Sequence, residues 1–209
     1  MPRPHLGDAR EFRKGFDHVR KRDPRLAAVL ERQGLIKFVP QGEMFEALVE
    51  SILSQQLAGA AAESIIRKVR SLYPDGRLEA TLVAETPSRK LRSAGVSPQK
   101  LSYLKDLSKK VNEGKVDLEA LKTMEDEEIV SILDEVKGVG PWTVQMLLIF
   151  TLGRTDVLPV DDLGVKKAVQ RVYSLAEMPK RAEIEKIGEI WRPYRSVASL
   201  YLWRHKDSG

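Results

Sequence analysis

Two adjacent carboxylates, Asp161 and Asp162, follow the extended pair Pro159-Val160 and precede a helical apolar stripe that begins at Val165. At the start of a helix, an acidic side chain is stabilised by free backbone amides and by the helix dipole. An ordinary helix cap therefore accounts for one of the two residues. If one of them caps the helix, the other can project into a cleft as an ionised carboxylate.

Earlier in the chain, the segment Gly138-Val139-Gly140-Pro141 separates two amphipathic stretches. Glycines permit a tight turn and leave the backbone amides uncovered, and Pro141 is a favourable first residue of a helix. Amides at the start of a helix form an anion site of the size of a phosphate. The segment predicts either a phosphate-binding helical hairpin or an ordinary turn between helices that ends in a glycine cap.

The elements that must position these residues are predicted to be helices. Apolar residues recur at helical spacing in four stretches, namely Phe12, Phe16 and Val19; Phe45, Leu48, Val49, Ile52 and Leu53; Leu101, Leu104, Leu107 and Val111; and Val165, Ala168, Val169 and Val172. Proline and glycine interrupt the pattern often, which predicts roughly ten or more helices with short connections. The apolar runs 144–152 and 197–202 do not alternate, so we expect buried helices there as well. The sequence predicts an all-α fold.

Composition excludes several classes of protein. The chain has 209 residues, a formal net charge of +5 and no cysteine. Without cysteine there can be no disulfide, no Cys-ligated zinc and no iron–sulfur cluster, and three scattered histidines argue against a histidine metal site: His5, His18 and His205. No apolar run approaches the ~20 residues that span a bilayer, and the N-terminus lacks the apolar core of a signal peptide. We expect a soluble intracellular protein that needs no metal and no cofactor.

The positive charge is concentrated at the N-terminus. Residues 1–40 contain ten Lys and Arg against five Asp and Glu, whereas residues 41–209 contain 25 of each. Within the balanced part, residues 81–120 and 161–209 each carry +3 and residues 121–160 carry −4. Separate basic stretches indicate an anionic partner, nucleic acid first, although a solvated charged surface has the same composition.

Taken together, the hairpin, the spacing and the segment Pro159-Val160-Asp161-Asp162 resemble the helix-hairpin-helix, Gly/Pro…Asp superfamily of DNA glycosylases. The closer resemblance is to its 3-methyladenine DNA glycosylase II (AlkA-type) branch. Residues 45–57 are similar to the family's Ile-Leu-x-Gln-Gln segment, and residues 91–103 to the segment that follows it. Residues 191–203 are similar to the C-terminal helix of the alkylated-base enzymes. The resemblance covers the chain from about residue 40 to residue 205.

This resemblance implies two helical lobes around a DNA-binding cleft. It also implies one domain over residues 1–209, with residues 1–40 as basic helices of the helical body and without the mixed α/β domain that begins the longer enzymes. The family's catalytic aspartate maps onto Asp162, and Asp161 becomes a structural or supporting acid. The hairpin residues expected to contact the DNA backbone are Gly138, Val139, Gly140 and Thr143.

Enzymes of this branch act on purines whose alkylation leaves a positive charge on the base, so the base is already a good leaving group. A carboxylate close to the oxocarbenium-like sugar then stabilises the transition state. The base is extruded from the duplex first, and the resemblance points to Gln56, with Leu57 second, as the wedge that fills the gap. Trp142 and Trp203 are the aromatic residues expected to stack on the cationic base. Tyr201 is a third candidate, although aromatic residues on apolar helices pack more often in the core.

Family members that also cut the strand carry a lysine two residues after the second hairpin glycine. Trp142 occupies that position here and Lys137 precedes the hairpin, so we expect a monofunctional glycosylase for the 3-methyladenine and 7-methylguanine class. Two alternatives stay open: a sibling glycosylase for deaminated, etheno or mismatched bases, and a non-catalytic lesion-binding module. We expect a monomer that binds double-stranded DNA with damaged bases and no membrane, in the cytoplasm of a prokaryote or the nucleus of a eukaryote.

Overall fold

The structure, a computed structural model, describes residues 4–57 and 59–206. Over these ranges the chain forms thirteen α-helices. An isolated antiparallel β-bridge joins His5 and Arg154. The all-α prediction is confirmed. The helices are α1 Ala9–Arg22, α2 Pro24–Gln33, α3 Met44–Ser54, α4 Gly59–Arg70, α5 Ala80–Glu85, α6 Ser88–Ser93, α7 Pro98–Asn112, α8 Leu118–Leu121, α9 Asp126–Asp134, α10 Pro141–Met146, α11 Leu163–Tyr173, α12 Arg181–Gly188 and α13 Arg195–Lys206.

Three shorter turns accompany the helices. Pro74–Gly76 and Glu189–Trp191 are 3₁₀ turns, and Leu147–Thr151 is a π-helical turn that continues α10. The apolar runs 144–152 and 197–202 are helical rather than extended, as their lack of alternation predicts. Among the described residues, none of the helices is both long enough and apolar enough to cross a bilayer.

The chain divides into two compact units. The terminal unit combines residues 1–41 with residues 148–209, and the inserted unit comprises residues 42–147. Helices α1, α2 and α11 to α13 belong to the terminal unit, and α3 to α10 belong to the inserted unit.

The core of the terminal unit is built from the apolar stripes of its helices. Buried side chains on four of them form this core: Phe12, Phe16 and Val19 on α1, Leu26 and Leu30 on α2, Val165, Ala168 and Val169 on α11, and Val197, Ala198 and Leu202 on α13. Full burial of each large apolar side chain contributes about 1.5–3 kcal/mol. Burial therefore fixes α11 and α13 against each other.

A buried carboxylate, Asp23, fastens three parts of the terminal unit. Its side chain is 2% exposed, and its Oδ1 caps α2 by accepting from the amides of Arg25 and Leu26. Its Oδ2 accepts from Trp191 Nε1 at 2.7 Å and from the Tyr173 hydroxyl at the end of α11. Burial, together with the hydrogen bond to Asp23, raises the pKa of Tyr173 far above its usual value, so the phenol remains a donor.

The inserted unit packs α3 against α4 and α7, and α9 against α10. The buried apolar residues on three of these helices are Met44, Phe45, Leu48, Val49, Ile52 and Leu53 on α3, Leu104 and Leu107 on α7, and Ile129 and Leu133 on α9. Helix α7 starts with a capping hydroxyl, because Ser97 Oγ accepts from the Lys100 amide and Pro98 occupies the first helical position. The rigid α3–α7 pair supports the loop after α3 and the hairpin between α9 and α10.

Candidate active site

Asp162 lies at the N-cap of α11 in the terminal unit. Its Oδ1 accepts hydrogen bonds from the Val165 amide at 2.9 Å and from Trp203 Nε1 at 2.8 Å. Hydrogen bonds to a carboxylate are stronger than those between neutral groups, so two donors from two helices hold this oxygen in place. The structure thus brings the predicted carboxylate together with one of the two predicted indoles.

Gly164 makes this contact sterically possible. A Cβ atom at position 164 would lie 2.9 Å from Asp162 Oδ1 and 3.0 Å from Trp203 Cδ1, closer than carbon atoms normally approach. Any larger residue would displace either the indole or the carboxylate. The Leu163-Gly164 sequence after the aspartates therefore has a steric explanation.

Phe150 extends the aromatic surface beside Asp162. It lies in the π-helical turn, and its ring centroid is 5.4 Å from that of Trp203 and 6.0 Å from that of Phe38. The Phe150 side chain is 39% exposed, so part of this surface is open to solvent. Turns of π-helix are rare and occur frequently at functional sites. A planar, electron-poor ligand can stack on such a surface.

The segment that leads to Asp162 is held by the start of α13. Arg195 donates to the Asp156 carboxylate at 2.6 Å and 3.1 Å, and the Ser196 amide donates to the Thr155 carbonyl at 3.0 Å. The Val157 amide donates in turn to Ser196 Oγ at 2.9 Å. Because α13 also carries Trp203, one helix positions both the indole and the chain segment before the carboxylate.

The two aspartates have different partners in the structure. Asp162 is itself the cap, through the same Oδ1 that Trp203 contacts. Asp161 is exposed and forms ion pairs with Lys166 at 3.3 Å and Arg181 at 3.1 Å. One aspartate therefore caps the helix and the other does not, and the cap is the candidate catalytic residue itself, because a carboxylate can accept several hydrogen bonds and can cap a helix while contacting another group.

Tyr201 is buried and not available to a ligand, so the prediction that it lines the base pocket is wrong. Its side chain is 0% exposed and packs against Phe16, with ring centroids 5.6 Å apart. Its hydroxyl donates to the Gly34 carbonyl at 2.8 Å and accepts from the Ile36 amide at 3.2 Å. The phenol therefore joins α13 to the chain after α2, which is a structural role.

The hairpin of the inserted unit lies between α9 and α10. Gly138 has φ +78°, a left-handed conformation, and an added Cβ would overlap the Tyr103 ring. Gly140 is the N-cap of α10, with Pro141 in the first helical position, and an added Cβ there would meet nothing within 4 Å. The first glycine is thus required by the fold, whereas the second leaves open space in front of the turn.

An open concavity of about 600 Å³ lies in front of this hairpin. Gln55 and residues 134–143 line it, and the Trp142 side chain beside it is 43% exposed. Val139 and Thr143 are each only 3% exposed, and the Val139 amide already donates to the Val136 carbonyl at 3.0 Å, so the accessible main chain of the turn is that of the two glycines. This arrangement can accept an anion through main-chain groups.

Helix α7 braces the hairpin from behind. Asp106 accepts from the Lys137 amide at 2.9 Å and pairs with Lys110 at 3.3 Å, and Lys110 Nζ donates to the Glu135 carbonyl. Burial alone would raise the pKa of Asp106, but the hydrogen bonds from Lys137 and Lys110 lower it. Lys137 thus takes part in the brace through its backbone, while its side chain is exposed.

The two candidate wedge residues, Gln56 and Leu57, are exposed at the end of α3. Gln56 has φ +58°, an uncommon conformation for a residue other than glycine and one that concentrates at functional sites. Gln55, immediately before, turns inward and donates from Nε2 to the Gly138 carbonyl at 2.7 Å. Lys100 Nζ donates to the Leu53 carbonyl at 2.6 Å, and burial lowers the pKa of Lys100. The loop is therefore held on both sides.

The sequence does not predict a role for Phe150, which lies beside Trp203, or for Gln55, which donates to the hairpin. Phe150 belongs to an apolar run that predicts a buried helix, but in the structure it lies in the π-helical turn with its side chain partly exposed. For Gln55 a signal existed, since two consecutive glutamines follow an apolar helical stripe and one of them must face the protein.

Comparison with known proteins places these features in a family. Residues 49–193 match the HhH-GPD superfamily of base excision DNA repair proteins. The chain is 32% identical to "DNA-3-methyladenine glycosylase 1" of Schizosaccharomyces pombe over 164 residues, which are 78% of this chain and 72% of that protein. It is 31% identical to "Putative DNA-3-methyladenine glycosylase YfjP" of Bacillus subtilis, over 90% of this chain and 67% of that protein.

A solved structure agrees with the sequence matches. The S. pombe 3-methyladenine DNA glycosylase Mag1 in complex with abasic DNA superposes with a TM-score of 0.84 at 29% identity. The superposition covers 93% of this chain and 97% of that chain. The matched segment includes the hairpin, the two aspartates and the loop after α3. This chain belongs to the HhH-GPD superfamily of base excision DNA repair proteins.

Proposed function

We propose that this protein is a monofunctional DNA glycosylase that flips alkylated purines of the 3-methyladenine and 7-methylguanine class out of duplex DNA and hydrolyses their N-glycosidic bond. The observation that carries the proposal is the Asp162 carboxylate, which accepts a hydrogen bond from Trp203 Nε1 at 2.8 Å, with the Phe150 ring tilted by 31° against that indole at a centroid distance of 5.4 Å. The names of the relatives, DNA-3-methyladenine glycosylases, support the same substrate class.

The chemistry follows from one carboxylate and an aromatic surface. Alkylation at adenine N3 or guanine N7 makes the base cationic, so it leaves without protonation by the enzyme. As the bond breaks, positive charge develops on the sugar, and the negative charge of Asp162 stabilises it. The faces of Trp203 and Phe150 attract an electron-poor cationic ring more strongly than a neutral one. Selection for charged bases therefore needs no dedicated hydrogen bond.

The inserted unit supplies the contacts with the duplex in this proposal. The backbone of Gly138, Val139, Gly140 and Thr143 binds a phosphate, which positions the protein without reading sequence. Gln56, supported by Leu57, fills the gap that the extruded nucleotide leaves, and Trp142 contributes a further aromatic face. Extrusion requires a few kcal/mol, less where the base is already poorly paired, and this difference adds to selectivity.

The test is release of free base from duplex DNA treated with a methylating agent, with the products identified by mass spectrometry. We expect 3-methyladenine and 7-methylguanine in the soluble fraction. Duplexes that contain hypoxanthine, an etheno adduct or a mismatch are treated in parallel. Release from those duplexes alone would assign the protein to a sibling specificity, and binding without release would make it a lesion-binding module.

The product strand is expected to remain intact. A strand-cutting glycosylase needs an amine that forms a Schiff base with the sugar, and Trp142 stands where that lysine would be. After incubation, borohydride should trap no covalent protein–DNA adduct, and strand breaks should appear only after hot alkali. Scission without alkali, or a trapped adduct, would contradict the monofunctional assignment.

Trp203→Phe is expected to lower kcat about tenfold while changing KM little. Phenylalanine keeps an aromatic face but removes the Nε1–H donor to Asp162, and loss of a hydrogen bond to a charged group is worth about 1.5 kcal/mol or more. Single-turnover base release over a series of enzyme concentrations gives the maximal rate, and steady-state release over a series of DNA concentrations gives kcat and KM. A rise in KM at unchanged kcat would mean that the indole acts by stacking alone.

Gln55→Met is expected to slow base release from duplex DNA about fivefold, because a neutral hydrogen bond contributes about 1 kcal/mol. Methionine has a similar length but cannot donate to the Gly138 carbonyl, so the loop that carries Gln56 loses its support. Release of the same base from single-stranded DNA, which leaves no gap to fill, should be unchanged. Gln56→Ala is the matched variant and should show the same strand dependence; equal slowing on both substrates would contradict the role.

A further inference from the structure

The outer face of α1 is a basic stripe that the proposed chemistry does not use. The six polar positions of this face follow one another at helical spacing, and five of them are cations: Arg10, Arg13, Lys14, Asp17, Arg20 and Lys21. The opposite face, with Phe12, Phe16 and Val19, is buried in the core. The orientation of α1 is therefore fixed, and the basic side chains must point to solvent.

Internal contacts neutralise part of this charge and leave the rest available. Lys14 pairs with Glu11 at 2.9 Å, and Arg20 pairs with Asp17 at 3.3 Å. Arg10, Arg13 and Lys21 are exposed and form no ion pair with any of the described residues. These three cations lie on one helix face, and Arg10 and Lys21 are eleven positions apart, a rise of about 16 Å along the helix axis.

The acids of the N-terminal segment offset only part of the stripe, through the Glu11–Lys14 and Asp17–Arg20 ion pairs. Asp8 caps α1 by accepting from the Arg10 amide, and the buried Asp23 accepts from Trp191 Nε1. Glu11 accepts from the Tyr194 hydroxyl as well as from Lys14. The whole net charge of +5 belongs to residues 1–40, since residues 41–209 balance. The family match begins only at residue 49.

We infer that the outer face of α1 is a second binding surface for DNA, which contacts backbone phosphates away from the damaged nucleotide. The inference rests on the proposed function for the choice of DNA as the polyanion. A duplex carries about one negative charge per 1.7 Å of its axis, so a stripe about 16 Å long faces several phosphates at once. Such contacts carry no sequence information and hold the protein on undamaged DNA.

The test compares the parent protein with the triple variant Arg10→Gln, Arg13→Gln, Lys21→Gln. The Kd for an undamaged duplex is measured over a series of salt concentrations. Each phosphate contact contributes about −0.9 to the slope of log K against log salt, so the slope of the variant should be less steep by about 2–3. The control is Lys68→Gln, Lys90→Gln, Lys186→Gln, which removes the same charge from exposed positions on α4, α6 and α12. The control should change the slope by less than about 0.9, which is the contribution of one phosphate contact.

A second variant acts in the opposite direction. Asp17→Lys replaces the one acid of the stripe, adds a cation and frees Arg20 from its ion pair, so it should make the slope steeper by about 0.9–1.8. Melting temperatures of all variants show whether the fold is retained, and Asp17→Lys keeps the test informative if the triple variant does not fold. Binding of the parent protein to anionic lipid vesicles is measured alongside.

Equal slopes for the parent and both α1 variants would overturn the inference, and so would equal losses in the triple variant and its control. Vesicle binding that depends on the stripe, with unchanged DNA slopes, would overturn it in favour of a membrane surface. Base release from a short damaged duplex at saturating enzyme should be the same in parent and triple variant. Failure of the parent to release any base would count against the proposed glycosylase activity alone. The role of the stripe is tested separately, by the salt dependence of binding to undamaged DNA.

Discussion

Asp162→Asn is expected to lower the rate of base release at least a hundredfold while leaving DNA binding intact. Asparagine keeps an oxygen that can accept from Trp203 Nε1 and from the Val165 amide, so the local structure is preserved. The negative charge is lost, and removal of one preorganised electrostatic group typically lowers kcat by about 10²–10³. Single-turnover release of 7-methylguanine from a methylated duplex measures the effect.

Asp161→Asn is the matched control for this substitution. It removes the neighbouring charge, which is exposed and pairs with Lys166 and Arg181, and should change the rate little. The melting temperatures of both variants should stay close to that of the parent protein. Equal rates for the parent and Asp162→Asn, or a large loss in Asp161→Asn alone, would assign the catalytic role to the wrong carboxylate.

Gly138→Ala is expected to destabilise the protein by about 2–4 kcal/mol. The left-handed backbone at Gly138 opposes any side chain by about 1–2 kcal/mol, and the new methyl group would have to displace the Tyr103 ring. For a chain of this size we expect a fall in Tm of order 10 °C, measured by calorimetry. Affinity for duplex DNA should fall as well, because the turn that presents the amides is distorted.

Gly140→Ala separates these two effects. Its backbone is in the extended region and an added Cβ meets nothing within 4 Å, so the Tm should stay close to that of the parent protein. The methyl group would nevertheless occupy the space in front of the hairpin, and DNA affinity should fall about as in Gly138→Ala. Unchanged affinity in both variants would show that the hairpin does not bind DNA.

Much of the fold can be predicted from the sequence because the apolar spacing is regular. The stripes on α1 and α3 are buried at every predicted position and the stripe on α11 at all but Val172, and the proline and glycine breaks separate the helices. This information is local, since each stripe needs only its own segment. Family membership is also readable, because the Gly-Val-Gly turn and the Asp pair are short, ordered motifs.

The details of the candidate site depend on contacts between distant residues. Nothing near Asp162 in the chain shows that its Oδ1 also binds an indole 41 residues later. The hydroxyl of the buried Tyr201 bonds to residues that follow α2, and Phe150 is partly exposed in a π-helical turn whose sequence is an ordinary apolar run. Spacing along the chain does not encode such pairings, so they required the tertiary structure.

The three tryptophans lie in three different environments, so intrinsic tryptophan fluorescence can distinguish three regions of the protein. Trp191 is fully buried on Asp23, Trp203 lies half-buried on Asp162, and Trp142 is partly open to solvent beside the hairpin. Because indole emission depends on its surroundings, Trp191 reports global unfolding, whereas Trp203 and Trp142 report events at the carboxylate and at the hairpin. Variants that retain one of them could follow base entry and backbone binding as separate signals, without any attached dye.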